Sequence, residues 1–180
     1  MNRRSRQACV ILRFATTVIL VMTALGCTKT GKAVRVDSAG DLMRAVDTAD
    51  QITVTQHSYR YDAYDSKEAE SYRQVTYAVK ELSPRQRKHL SGIVGALPAG
   101  IPDAAPACIF NPHHTFRFFE QGKLTSKLQV CFECPQVRWD GSDKELVTAL
   151  HGELRAYVAW IGMHPDANWH ALAKQYGAIK

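Results

Sequence analysis

The stretch from Ala107 to Pro135 constrains this chain more than any other, because it alternates apolar and polar residues on both sides of a glycine. Before the glycine, the even positions are Cys108, Phe110, Pro112, His114, Phe116 and Phe118. After it they are Leu124, Ser126, Leu128, Val130, Phe132 and Cys134. Period two with one apolar side is what a strand needs when one face meets a core and the other meets water. Two such runs around a short polar link predict an antiparallel hairpin. Both even faces must lie on the same side, so paired positions must sum to an even number; a slip of one residue would turn one strand over. Glu120-Gln121-Gly122 suits a three-residue loop with glycine in the left-handed conformation. Pairs then sum to 242: Phe119 with Lys123, Phe118 with Leu124, His114 with Leu128, Phe110 with Phe132, and Cys108 with Cys134. Opposed residues on one face lie within disulfide reach, which predicts a Cys108–Cys134 bond. Pro112 is the weak point of this ladder, since it has no N–H to give.

The first residues supply an address. Arg3, Arg4, Arg6 and Arg13 precede an apolar run from Phe14 to Leu25, followed by Gly26-Cys27. A basic segment, a short apolar core and small residues describe an export signal, and the run is short for a transmembrane span. Thr23-Ala24-Leu25-Gly26-Cys27 resembles the lipobox of bacterial lipoproteins. That resemblance implies lipidation (palmitate among the acyl groups) at Cys27, which becomes the first mature residue. Thr28 rather than Asp after the cysteine implies, on the same resemblance, an outer-membrane destination facing the periplasm. The chain therefore divides into a signal peptide at 1–26, a lipidated tether at 27–36 and a single domain at 37–180.

Removing the signal changes the charge argument. The formal charge of +6 falls by four arginines to +2, so the basic pI belongs largely to the export signal. A nucleic-acid partner loses its support. The partners left are the membrane, through the anchor, and another envelope protein. Cys9 leaves with the signal and Cys27 is taken by lipid. Cys108, Cys131 and Cys134 remain, an odd number for an oxidising compartment.

Along the domain, Ser38 opens a helix carrying Leu42, Met43, Val46 and Ala49. Gln51–Tyr59 and Tyr72–Leu82 alternate as strands, with a polar loop at Tyr61–Ser71 between them. Tyr59, Tyr61, Tyr64 and Tyr72 read as sheet and loop tyrosines rather than a recognition surface. Ser83-Pro84-Arg85-Gln86 is a helix start with a capping box, and Leu90, Ile93, Val94 and Leu97 form its buried stripe. Arg85, Arg87 and Lys88 read as a solvated face. Gln136–Trp139 adds a short strand. Ser142 opens what reads as the longest helix, ended by Pro165, and Asn168–Tyr176 forms a last helix closed by Gly177. The sum is an α+β domain: an antiparallel four- to five-stranded sheet with helices packed on one face.

The residue types on the hairpin suggest three chemistries. Cys108, His113, His114, Cys131 and Cys134 have residue types that suit zinc, and Cys131-Phe132-Glu133-Cys134 has the spacing of half a zinc ribbon. In an alternating strand, however, Cys131 and Cys134 point to opposite faces and cannot share an ion. Thiol redox motifs of C-x-x-C type need a helix N-terminus, which is not predicted here. A Cys131–His113 nucleophile lacks an oxyanion site. No metal or cofactor is expected. The pattern Cys108-x-Phe110-x-Pro112, Arg117-Phe118 and Cys131-Phe132-Glu133-Cys134 resembles a group of uncharacterised, often exported bacterial proteins with a C…CFxC hairpin. That resemblance implies a fold and no mechanism. The functional expectation is a lipid-anchored envelope protein that binds or supports another component without catalysis. The alternative is a metal- or thiol-dependent periplasmic activity using Cys131, His113 and His114.

Overall fold

The structure is a computed structural model that describes residues 38–98, 107–142 and 146–180. The signal and tether assigned to residues 1–36 lie outside them. So do most of the proline-rich connector before the hairpin and three residues after Ser142.

Within the described residues the order is α1 (Ser38–Thr48), β1 (Gln51–His57), a 3-10 turn (Arg60–Asp62), α2 (Ser66–Ser71), β2 (Thr76–Glu81), α3 (Pro84–Ala96), β3 (His114–Glu120), β4 (Lys123–Cys131), β5 (Gln136–Trp139), α4 (Ala149–Trp160) and α5 (Trp169–Gln175). The five strands form one sheet in the order β2-β1-β3-β4-β5, and every neighbouring pair is antiparallel. The fold class expected from periodicity is the one observed.

The even face of the sheet is the core face. Ile52 and Val54 of β1, Phe116 and Phe118 of β3, and Leu128 and Val130 of β4 are all fully buried. They join one cluster with Leu42 and Val46 of α1, Leu90 and Val94 of α3, and Leu150, Leu154, Tyr157 and Val158 of α4. Burying side chains of this size contributes about 1.5–3 kcal/mol each. Ser83 caps α3 as its sequence requires: its Oγ accepts from the Gln86 N–H at 3.3 Å, and Gln86 Oε1 accepts from the Ser83 N–H at 2.9 Å. Tyr157 ties α4 to that end by donating to the Gln86 carbonyl at 2.9 Å. Arg87 is no idle surface charge, because it donates to the carbonyls of Ala49 and Asp50 just beyond α1. Carbonyls at a helix end have no partner inside the helix and need such a donor.

The hairpin keeps its parity but not its expected register. From His114–Val130 to Phe118–Ser126 paired positions sum to 244, not 242. The loop is two residues, Gln121 and Gly122, with φ of 51° and 73°, the doubly left-handed turn that matches strand twist. Alone, that turn would set an odd sum, as Phe119–Leu124 and Glu120–Lys123 show, and would place the apolar faces on opposite sides. A bulge between Phe118 and Phe119 takes up Thr125 as an extra residue, and its Oγ1 donates to the Phe118 carbonyl at 3.1 Å. One inserted residue restores the even sum.

Other boundaries also moved. Tyr61–Ser71 is not all loop: Asp65 caps the short α2 by accepting from the Glu68 N–H at 2.8 Å. The second strand is shorter than its alternation suggested. The helix expected from Ser142 runs from Ala149 to Trp160, which makes α3 the longest described helix, and Gly162 follows its Ile161 cap ahead of Pro165. At Gly162 φ is +81°, and Lys80 Nζ donates to the Ile161 carbonyl.

The turn makes the first prediction. Gln121→Asn places a residue that tolerates φ > 0 beside Gly122 and should raise unfolding stability by about 0.5 kcal/mol, whereas Gln121→Val should lower it by about 1 kcal/mol. Urea midpoints of the two variants measure this; a neutral pair would contradict the turn.

Candidate functional site

Two groups of reactive residue types lie at the end of the sheet where β1 finishes and β3 begins. The first is built from three histidines. His57 closes β1, and its backbone N–H donates to the His113 carbonyl at 3.0 Å, just ahead of β3. Its Nδ1–H donates to the Ser58 carbonyl at 2.8 Å, so Nε2 accepts from Thr115 Oγ1 at 2.8 Å. His113 Nε2 lies 2.7 Å from Asp62 Oδ1, with both side chains buried. Asp62 Oδ2 accepts from the Tyr59 N–H at 2.8 Å. The His113 ring stacks on Trp169 at 4.0 Å, and His170 Nδ1 donates to the Asp62 carbonyl at 2.7 Å. Thus α5 and the 3-10 turn clamp the end of the sheet.

His114 turns to the core face. Gln56 Nε2 donates to the His164 carbonyl at 2.8 Å and also lies 3.3 Å from His114 Nε2, which must therefore accept. The proton then sits on Nδ1, which is buried with no hydrogen-bond partner in the described structure. Phe132 at 5.0 Å and Trp169 at 5.8 Å meet the ring edge-on. Burial pushes His114 down to about 3, helped by the nearby imidazoles of His113 and His57. Burial lowers His57 as well. Unpaired charge is costly in such surroundings, and these rings stay neutral.

The second group is the cysteines. Cys108 and Cys134 form the expected disulfide, with Cα atoms 6.0 Å apart, but not as opposed ladder residues. β3 starts only at His114, after Pro112, and Cys134 lies in the turn between β4 and β5. Extending the observed register would set position 136 against Cys108, and Gln136 Nε2 does donate to the Cys108 carbonyl at 3.2 Å. Cys131 ends β4 as a buried free thiol. The C-x-x-C is therefore not an alternating strand, and its cysteines do not face opposite ways as expected: Cys131 and Cys134 share a small apolar cluster with Phe110. The Cys134 N–H donates to Cys131 Sγ at 3.3 Å. Burial pushes the Cys131 thiol up, against the pull of the Asn111, Cys134 and Glu133 backbone N–H groups.

The residues named from sequence are thus brought near one another, but not into one constellation. His113 is held by Asp62, His114 by Gln56, and Cys131 by the disulfide cluster. Among the described residues, no group of three or more His, Cys, Asp or Glu is arranged to hold a metal ion. Beside this end, Gln56, Tyr77, His164, Asp166, Asn168 and Tyr176 line a cleft of about 410 Å³. Asp62, His57, Gln56 and Trp169 were not singled out from sequence; nothing in the spacing of Asp62 within its tyrosine-rich loop marks it as buried. Neither a family model, nor a curated protein, nor a solved structure matches this chain.

His114 sets a pH dependence. A histidine whose folded pKa lies below its unfolded value of 6.5 stabilises the fold above pH 6.5 and withdraws that support as pH falls toward 3. Its share is about 2 kcal/mol lost between pH 7 and pH 5. His114→Gln, which has no proton to gain, should flatten the curve of urea stability against pH by that amount. Parallel curves would contradict the buried neutral imidazole.

Proposed function

We propose that this protein is exported, anchored to the cell envelope by lipid on Cys27, and acts there by binding or supporting another envelope component rather than by catalysis. The single observation that carries the reading is the Cys108–Cys134 disulfide. Such bonds persist in oxidising compartments, and the N-terminal signal independently points to one. Engagement of the histidines supports binding over catalysis: His57, His113 and His114 hold the fold's own carbonyl, carboxylate, hydroxyl and amide groups. The cleft beside them is where a ligand has room. Tyr77 and Tyr176 meet edge to face at 5.1 Å on its wall, offering flat apolar area.

Labelling of the full chain in bacterial cells with an alkyne-bearing fatty acid tests the anchor. Wild type should carry the label in the membrane fraction, and Cys27→Ser should lose both label and membrane association. A photo-crosslinking residue at position 176 tests the cleft separately and should give a discrete envelope adduct. An unlabelled wild type would overturn the anchor, and a labelled protein without any adduct would overturn the cleft.

A further inference from the structure

The cysteine cluster holds more than a structural bond. Cys108 and Cys134 form a disulfide, and the free thiol of Cys131, at the end of β4, packs in one small apolar cluster with Cys134 and Phe110. The Cys134 N–H points at Cys131 Sγ from 3.3 Å, so the free sulfur lies against the backbone of a disulfide cysteine. Thiol–disulfide exchange needs a thiolate near a disulfide sulfur and a leaving sulfur that can carry charge. Here the two disulfide sulfurs differ in that respect. Cys108 is exposed, whereas Cys134 is 3% exposed. Attack on Cys134 would expel Cys108 into water, and attack on Cys108 would strand a thiolate on buried Cys134. Solvent stabilises the first leaving group and burial penalises the second. The Gln136 amide, 3.7 Å from Cys108 Sγ and 3.5 Å from Cys134 Sγ, adds a donor beside both.

We propose that Cys108, Cys131 and Cys134 form a thiol–disulfide exchange site that frees Cys108 at the surface for a mixed disulfide with a partner protein. The Cys131 thiol loses its proton to solvent and its sulfur attacks Cys134 Sγ. The Cys131–Cys134 bond forms as the Cys108–Cys134 bond breaks, and Cys108 leaves with the electron pair as a thiolate that exchanges protons with water. No oxidant is consumed. The freed Cys108 thiolate then attacks a partner's disulfide, joining one partner sulfur and releasing the other as a thiolate. Ile109, 66% exposed, flanks the freed sulfur, while Arg138 lies over the Phe110 ring at 4.1 Å. A surface thiol beside an exposed apolar side chain suits an apolar protein segment. This inference does not depend on the lipid anchor or the cleft.

Alkylation of the folded, oxidised protein tests it. The full chain with Cys9 and Cys27 replaced by serine is incubated without reductant at pH 7, 8 and 9 with N-ethylmaleimide, quenched in acid, digested and mapped by mass spectrometry. Label should accumulate on Cys108 in step with the Cys131–Cys134 linkage, roughly tenfold faster per pH unit while Cys131 is below its pKa. Cys131→Ser should keep the Cys108–Cys134 bond and leave Cys108 unlabelled. Label confined to Cys131, no label at any pH, or label on Cys108 in the serine variant would each overturn the exchange.

Discussion

Everything in this fold depends on one inserted residue. The Gln121-Gly122 turn fits the twist of two strands, yet alone it sets β3 and β4 a residue out of phase. Phe116 and Phe118 would then face the core while Leu128 and Val130 faced water. Thr125, taken up in a bulge beside Phe118, puts all four side chains on one side. The cluster that α1, α3 and α4 close over the sheet exists because of that correction. A sheet face is all or nothing, since a slip of one position moves every apolar side chain at once.

The same strands set the chemistry at their far end. Where β3 begins, at His114, its neighbour His113 reaches Asp62 while His114 itself enters the core beside Phe132 and Gln56. Where β4 ends, at Cys131, the turn that follows carries Cys134 back toward Cys108. Histidine and cysteine are residue types associated with catalysis and metal binding, but here they divide into two neighbourhoods with different logic. The imidazoles are buried and each makes at least one internal hydrogen bond, and burial holds His57 and His114 neutral. The sulfurs are asymmetric, one exposed and two buried, and that asymmetry makes a static bond exchangeable in one direction.

Periodicity carried most of the fold. Alternation marked the even face of the hairpin, the capping box at Ser83 fixed the start of α3, and Gly177 marked the end of α5. Parity also identified the right disulfide partners, through a register that was wrong by two. Two features explain that outcome: the loop has two residues rather than three, and the ladder stops at His114 and does not run past Pro112 to Cys108. A bulge leaves little trace in a sequence, because Thr125 is an ordinary strand residue. The late start of α4 was hidden for a similar reason, since Ser142 looks like a cap and Leu146 and Val147 are apolar whether helical or not. The buried polar end was the least legible part. Asp62 lies in a tyrosine-rich polar stretch, and only the docking of α5 makes it a buried partner for His113. Contacts between residues more than 50 positions apart leave no local pattern to read.

Cross-strand proton contacts observed by NMR test the central claim most directly. The bulged hairpin predicts close Hα–Hα contacts between β3 and β4 at alternate pairs of the observed register, whose positions sum to 244 from His114–Val130 to Phe118–Ser126. Contacts joining Phe116 to Ser126, or His114 to Leu128, would mean that Thr125 is an ordinary ladder residue and that the turn, the core face and the cysteine cluster are arranged differently.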